Sequence, residues 1–409
     1  MKRTILHCDM NNFYASVECL KHPELRDVPM AVCGDEEARR GVVLAKNEKA
    51  KALGITTGES VWNAKKKCPS LVTVVPHHGE YAIFSKKATE IYSRYTDQIE
   101  PFGLDECWLD VTGSLRLFGS GEQIADDIRE TIKRELGLTA SVGVSFNKVF
   151  AKLGSDLKKP DATTVISPEN FKEKVWGLPI SALLGVGKAT AKKLNSCGIH
   201  TIGQLAEWPE DYFEKILGKV GVDLWKYANG LDDSPVVTRL LDSLDKSCGH
   251  GETTPHDLTT PDEVWKLMLG LSQRIGHKLY QHHKKATGVS ITIKDNRLVS
   301  KQWQCRLRTN TQSPSVLAKE AFELFKRSYD WRLPIRSVTI QAIGLVADDE
   351  PEQIGFFNDA EDMAKTEALD KVIEEIRSKY GTDAIKNAVL IDPRKDKNRK
   401  NDDTKSNTH

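Results

Sequence analysis

The sequence of 409 residues contains no apolar run approaching the roughly 18 residues that a membrane helix requires, so no membrane partner is expected. It also lacks any Cys-x-x-Cys pair. Its eight cysteines (8, 19, 33, 68, 107, 197, 248 and 305) are scattered, which argues against both a zinc ribbon and a disulfide framework, and they read as buried thiols. Met1-Lys2-Arg3 leads into only a few apolar residues before Asp9, with no secretory core, so the default compartment is the cytoplasm. Net charge is almost absent, at +1, and taken alone would exclude a polyanion-binding protein.

That near-zero charge is an average over segments of opposite sign. From Lys246 to Val346 there are 16 Lys and Arg against 8 Asp and Glu, and from Ala347 to Arg377 there are 3 against 11. A basic stretch of this length is the footprint of a polyanion partner, although charged faces are often simply solvated.

At roughly 150 residues per domain the length implies two to four domains. Hydrophobic spacing in the first 166 residues predicts strands at 4–8, 28–33, 41–45, 104–111 and 139–144, interleaved with helices at 13–20, 46–53, 60–67, 81–95 and 123–136 around one sheet. Past Pro168 the pattern becomes all-helical with short loops, and a polar linker follows at 233–246. The order strand, helix, strand, strand, helix, strand over 247–346 predicts a split-βαβ domain. An acidic link (347–358), a helical segment (359–391) and a charged tail read as disordered (392–409) complete the chain.

Asp9 stands at the end of a hydrophobic strand, where open sheets bind ligands, although an Asp there also caps the next helix. Asp105 and Glu106 place two adjacent carboxylates at the start of an apolar strand, where like charges repel, so a cation is expected nearby. Together the three could form a hard-oxygen site for two Mg²⁺ ions, suited to nucleotidyl transfer. Asp110 and His7 read as structural. Lys158-Lys159-Pro160, Lys46 and Lys51 are candidate triphosphate contacts or plain solvated helix ends. Gly185, Gly187 and Lys188 lie between short helices, a pattern that holds a nucleic-acid phosphate on backbone amides. Gln353-Ile354-Gly355-Phe356-Phe357 puts two aromatics in an acidic link, suited either to a groove on another protein or to packing on the neighbouring domain.

Asp9-Met10-Asn11-Asn12-Phe13-Tyr14-Ala15-Ser16-Val17-Glu18, Gly103-Leu104-Asp105-Glu106-Cys107-Trp108-Leu109-Asp110 and Ser141-Val142-Gly143-Val144-Ser145-Phe146-Asn147-Lys148 resemble the Y-family translesion DNA polymerases, within them the DinB branch. The resemblance covers residues 1 to about 346. It implies an α+β multidomain right-hand polymerase: palm from 1–9 and 78–166, small fingers from 10–77, a helix-hairpin-helix thumb from 167–232 and a β-α-β-β-α-β little finger from 247–346. It implies Asp9, Asp105 and Glu106 as catalytic metal ligands with the Met10 carbonyl, and Mg²⁺, two per site with Mn²⁺ as an alternative. It further implies Tyr14 as a steric gate against the ribose 2′-hydroxyl, and Phe13, Tyr14, Lys51 and Lys159 at the triphosphate.

The expected partners are primer-template DNA, dNTPs and, through Gln353, Ile354, Phe356 and Phe357, the bacterial sliding clamp. The expected activity is low-fidelity, lesion-bypassing synthesis by a monomer without a proofreading exonuclease. Three positions depart from the family pattern: Glu48 and Lys51 stand where relatives carry Tyr and Arg, and Gly103 where they carry Ser. An inert accessory protein and a nucleotidyl cyclase are the competing readings. The first should lack the carboxylates, and the second should lack the hairpin and the basic domain.

Overall fold

The computed structural model describes residues 3–238, 246–350, 360–381 and 384–390. The chain forms two compact units, the first of residues 1–36 and 41–241 and the second of residues 37–40 and 242–409. In order, the first carries β1 (Ile5–Met10), α1 (Phe13–Lys21), β2 (Met30–Cys33), β3 (Val43–Lys46), α2 (Glu48–Ala52), α3 (Val61–Lys67), β4 (Val72–Val74), α4 (His78–Tyr92), β5 (Ile99–Pro101), β6 (Glu106–Asp110), α5 (Leu115–Phe118), α6 (Gly121–Leu136), β7 (Ala140–Ser145), α7 (Lys148–Leu157) and β8 (Thr163–Ile166). Helices follow: a 3-10 turn at Ile180–Ala182 sits between α8 (Phe171–Val175) and α9 (Lys188–Ser196), and then come α10 (Ile202–Glu207), α11 (Glu210–Leu217) and α12 (Lys219–Ala228).

The strands form two sheets rather than the one expected. A five-stranded sheet runs β5-β6-β1-β7-β8, and a separate three-stranded sheet runs β3-β2-β4. Strands of three or four residues, such as β4 and β5, are too short to show a period, which is why they were not anticipated. The strand expected over 104–111 begins only at Glu106. The Phe102 N–H donates to the Glu106 carbonyl (2.8 Å), and Gly103 takes a φ of 99°, so the chain turns there.

β1 lies at the centre of the large sheet, antiparallel to β6 and β7, and all six of its residues are buried. Strand alternation divides them between two faces. Leu6, Cys8 and Met10 join the core formed with α4 and α6, whose Tyr81, Ile91, Ile124 and Ile128 are buried. Ile5 packs with Trp108 and with Ala151 of α7 on the other face, so His7 and Asp9 point the same way. Register places Gly143 beside His7. A Cβ at Gly143 would stand 1.9 Å from the Ala151 carbonyl oxygen, so only glycine lets α7 lie this close to the sheet.

The second unit follows the order read from the sequence: β9 (Ser247–Leu258), α13 (Pro261–Gln281), β10 (Lys284–Asp295), β11 (Ser300–Thr311), α14 (Pro314–Ser328) and β12 (Ile335–Ala347), then α15 (Ala360–Tyr380). Its antiparallel sheet runs β11-β10-β12-β9. Val289, Ile291, Ile293, Val338 and Ile340 meet the apolar stripes of α13 and α14 in one core. Thr260 and Glu263 close a capping box at the start of α13. α15 docks on the helices: Asp370 accepts from Ser313 and Ser315 at the N-terminus of α14, Arg377 donates to Gln273 (3.2 Å) and Glu374 pairs with His277.

Candidate active site

The end of β1 adjoins the start of antiparallel β6, so Asp9 is the register partner of Glu106, and the Met10 N–H donates to the Asp105 carbonyl at 3.0 Å. Three carboxylates from distant parts of the chain therefore share one end of the sheet. Asp9 and Glu106 face α7, which supplies the expected cation. Lys152 Nζ lies 2.9 Å from Glu106 Oε2, 3.5 Å from Asp9 Oδ2 and 3.3 Å from Asp156 Oδ2. Lys159 Nζ adds contacts of 2.8 Å to Asp9 and 2.9 Å to Asp156.

The three carboxylates do not share one protonation behaviour. Burial, followed by the neighbouring Asp9 and Glu106 charges, pushes Asp105 up to about 6. Burial would also raise Glu106, but the His7 ring and the Lys152 ammonium outweigh it and hold Glu106 down at about 2. Burial opposes the charge on Lys152 and Lys159 too, yet the surrounding carboxylates raise both above the ordinary lysine value.

His7 is fully buried, as a packed strand residue should be. Its Nδ1 lies 2.8 Å from Ser155 Oγ, and its Nε2 lies 3.3 Å from Glu106 Oε2 without the alignment of a hydrogen bond. Asp110 is structural: its Oδ1 accepts from the Thr112 N–H at 3.0 Å.

Among the described residues no three His, Cys, Asp or Glu side chains converge closely enough to hold a cation as they stand. The donor chemistry nevertheless suits a hard divalent ion. The set is all-carboxylate, and lysine ammonium groups 2.9 Å from Glu106 and 2.8 Å from Asp9 already compensate the clustered negative charge.

Tyr14, in the first turn of α1, is half-buried with its ring stacked on Tyr81 (centroids 4.1 Å apart, 12° between planes) and edge-on to His78. Burial, then the Asp105 charge, raises its phenol. Phe13 precedes Tyr14 at the first position of α1. Its ring is 3% exposed and belongs to the core, which leaves its backbone amide for a triphosphate contact.

Lys51 is exposed and pairs with Glu48 at 3.5 Å, while Glu48 accepts from Asn12 at 2.7 Å. The two family departures therefore neutralise one another. A cleft of about 280 Å³ opens beside them, lined by Asn11, Asn12, Arg26, Asn47, Glu48 and Pro160 among others.

In the helical part, Gly185 adopts a φ of 88° and Gly187 is the N-cap of α9, whose first residue is Lys188. The hairpin is present, with a single 3-10 turn as its leading helix. Gln353, Ile354, Phe356 and Phe357 lie outside the described residues, as does the 392–409 tail.

Lys152 was not singled out as a site residue from the sequence, and neither was Tyr81. The signal for Lys152 was the spacing Lys148, Lys152, Asp156, Lys159, which puts four charges on one face of α7 and its extension. Tyr81 gave no signal short of the fold itself.

Two matches to the impB/mucB/samB family flank a thumb match. The family's first model covers residues 8–156 and its C-terminal domain covers 245–356, while a model described as the DNA polymerase-iota thumb domain covers 181–232. The chain is 50% identical over 394 residues to DNA polymerase IV of Acetivibrio thermocellus, covering 96% of this chain and 99% of that one. It is 36% identical to DNA polymerase IV of Clostridium kluyveri, covering 96% and 99%. The chain belongs to the Y-family DNA polymerases, in the DinB-type branch.

As a Y-family member it is a DNA-directed DNA polymerase of the translesion class, it acts on DNA and dNTPs, and it requires a divalent metal. A chimera of two Y-family polymerases, Dbh and Dpo4, matches the fold with a TM-score of 0.76 at 24% identity, covering 84% of this chain and 99% of that one. The α+β multidomain architecture is thus the Y-family one. No described helix is long and apolar enough to cross a membrane.

Proposed function

We propose that the chain extends a primer 3′-hydroxyl by nucleotidyl transfer at the Asp9, Asp105 and Glu106 set, with low fidelity, across damaged templates and without proofreading. The observation that carries this reading is the pairing of Asp9 with Glu106 across β1 and β6, with Asp105 just before β6 and the ammonium groups of Lys152 and Lys159 on the paired carboxylates. In this reading Asp9, Asp105, Glu106 and the Met10 carbonyl hold two Mg²⁺, which when bound supply Lewis-acid activation of the 3′-hydroxyl and positive charge for the departing pyrophosphate.

The chain's own groups do the rest. Lys159 exchanges its contact with Asp9 for the triphosphate, with Lys51 and the Phe13 amide beside it, and the Tyr14 ring occupies the space a 2′-hydroxyl would need. Residues 1–9 with 78–166 act as palm, 10–77 as fingers, 167–232 as thumb and 247–346 as little finger. The short fingers helices, α2 and α3, support low fidelity, since they span only five and seven residues and cannot enclose a nascent base pair tightly. Gly185, Gly187 and Lys188 hold a DNA phosphate, and Gln353, Ile354, Phe356 and Phe357 dock a monomeric, cytoplasmic polymerase on the sliding clamp.

Primer extension with Mg²⁺ and dNTPs tests the reading. Extension by the native chain, abolished in Asp105→Ala/Glu106→Ala, is expected. Folded native protein that binds primer-template yet adds no nucleotide would overturn it in favour of an inert DNA-binding role.

A further inference from the structure

A steric gate rejects a ribose only if its ring cannot retreat. The selectivity of Tyr14 is therefore the free energy needed to displace it, and that depends on what stands behind the ring. Here the support is a second aromatic, Tyr81, which is fully buried and stacked on Tyr14. Stacking resists tilt but allows two rings to slide together, so the position of the pair is set by whatever fixes Tyr81.

The Tyr81 hydroxyl is fixed from two sides. It donates to Glu18 Oε1 at 2.5 Å and accepts from the His77 N–H at 3.1 Å. The His77 ring closes the loop, with Nδ1 2.9 Å from the same carboxylate oxygen. Glu18 is 1% exposed, and its second oxygen is buried without any hydrogen-bond partner. Such an orphaned carboxylate oxygen is destabilising and uncommon in folded proteins. Tyr14 and Glu18 are four residues apart on α1, and His77 and Tyr81 are four apart at the start of α4. The two helices thus meet through two rungs, ring on ring and hydroxyl on carboxylate.

We propose that Glu18, acting through the Tyr81 hydroxyl, is a positioning residue for the gate and sets how strongly the polymerase discriminates dNTPs from rNTPs. The inference rests on the reading of Tyr14 as the gate. A purely structural staple between α1 and α4 would change stability but not sugar selectivity. A positioning role changes selectivity, and it does so by lowering the KM for ribonucleotides.

The test measures kcat/KM for a dNTP and its matching rNTP in the native chain, Tyr14→Ala, Tyr81→Phe, Glu18→Leu and Glu18→Gln, with thermal melts for each. Tyr81→Phe keeps the stack and removes only the anchor. It is expected to lower the dNTP/rNTP ratio about tenfold, the equivalent of one buried hydrogen bond to a charged acceptor, with the change falling on the rNTP KM. Glu18→Leu should do the same, and Glu18→Gln, which retains an acceptor, should restore most of the ratio. A native ratio in folded Tyr81→Phe, alongside a collapsed ratio in Tyr14→Ala, would overturn the inference alone. An unchanged ratio in Tyr14→Ala would overturn the gate assignment and this inference with it. Should Glu18→Leu fail to fold, the comparison of Tyr81→Phe with Tyr14→Ala still decides.

Discussion

The two large sheets of this polymerase solve opposite problems. The central strands of the first, β1 and β7, are buried along their whole length between α4 and α6 on one face and α7 on the other. Its polar chemistry is confined to one end, where Asp9 meets Glu106. The sheet of the second unit is covered on one face only. Along β11 the side chains alternate, with Trp303, Cys305 and Leu307 toward the core and Gln302, Gln304, Arg306 and Arg308 exposed. Register continues that face through Thr292 to Thr339 and Gln341 and on to Gly249 and Gly251, with Ser290 buried beneath Gln302, which donates to it at 2.9 Å. A reaction needs atoms fixed to a fraction of an ångström, which close packing on both faces supplies. A surface that follows an irregular polyanion needs distributed polarity and no single indispensable atom.

This contrast can be broken at its most sensitive point with two glycines. Gly143→Ala in the first sheet forces a Cβ to 1.9 Å from a backbone oxygen of α7, which has no free side chain to move aside. We expect about 4 kcal/mol of destabilisation, or failure to fold. Gly251→Ala on the edge strand of the second sheet meets the Thr339 side chain at 2.2 Å, which can rotate away, and the expected cost is under about 1 kcal/mol. Denaturant melts of the two variants settle the difference, and equal costs would mean that the two sheets are packed alike.

The next largest effect concerns the charge at the end of the first sheet. Lys152 is mostly buried between Glu106, Asp9 and Asp156, so Lys152→Met leaves buried carboxylates uncompensated. In a chelator the expected loss is about 2–3 kcal/mol, below the full value for a buried pair because the site is partly open. Millimolar Mg²⁺ should recover most of it by taking over the compensation. Thermal melts with and without the ion read both numbers. A variant whose stability is indifferent to Mg²⁺ would mean that the carboxylates do not bind it.

The same contrast governs what could be read before the fold was known. The open face of the second unit alternates in sequence with a period of two, and its long strands and capped helices are legible in order. The basic excess over 246–346 was legible too, but not its placement, since much of it lies on helices rather than on the open face. In the first unit the buried runs reveal strands but not partners. β4 and β5 are too short to show a period, and the turn at Gly103 shortens β6. The carboxylates were recoverable because paired like charges in an apolar strand call for a cation. The cation itself came from α7, about 45 residues later in the chain than Glu106, and only register and the missing side chain of Gly143 bring it there. Glu18 carries no local signal of its role, because nothing near it in the sequence shows that α4 will bury it.

The smallest effect is the sharpest test of distributed function. Arg306 and Arg308 are both exposed on the face of β11 turned away from the core, so replacing both by Ala should change stability by no more than about 0.5 kcal/mol. If each neutralises one DNA phosphate, log K against log salt should lose about 0.9 in slope per arginine, close to 2 for the pair. Affinity should fall uniformly across template sequences, because phosphate contacts carry no sequence information. Fluorescence anisotropy with primer-template across a salt series measures both. An unchanged slope would move the polyanion contact off this face and onto the cationic helices behind it, and a sequence-dependent loss would mean that the arginines read bases. Either result would end the analogy between an open polar sheet and a non-specific grip, while leaving the carboxylate site of the first unit untouched.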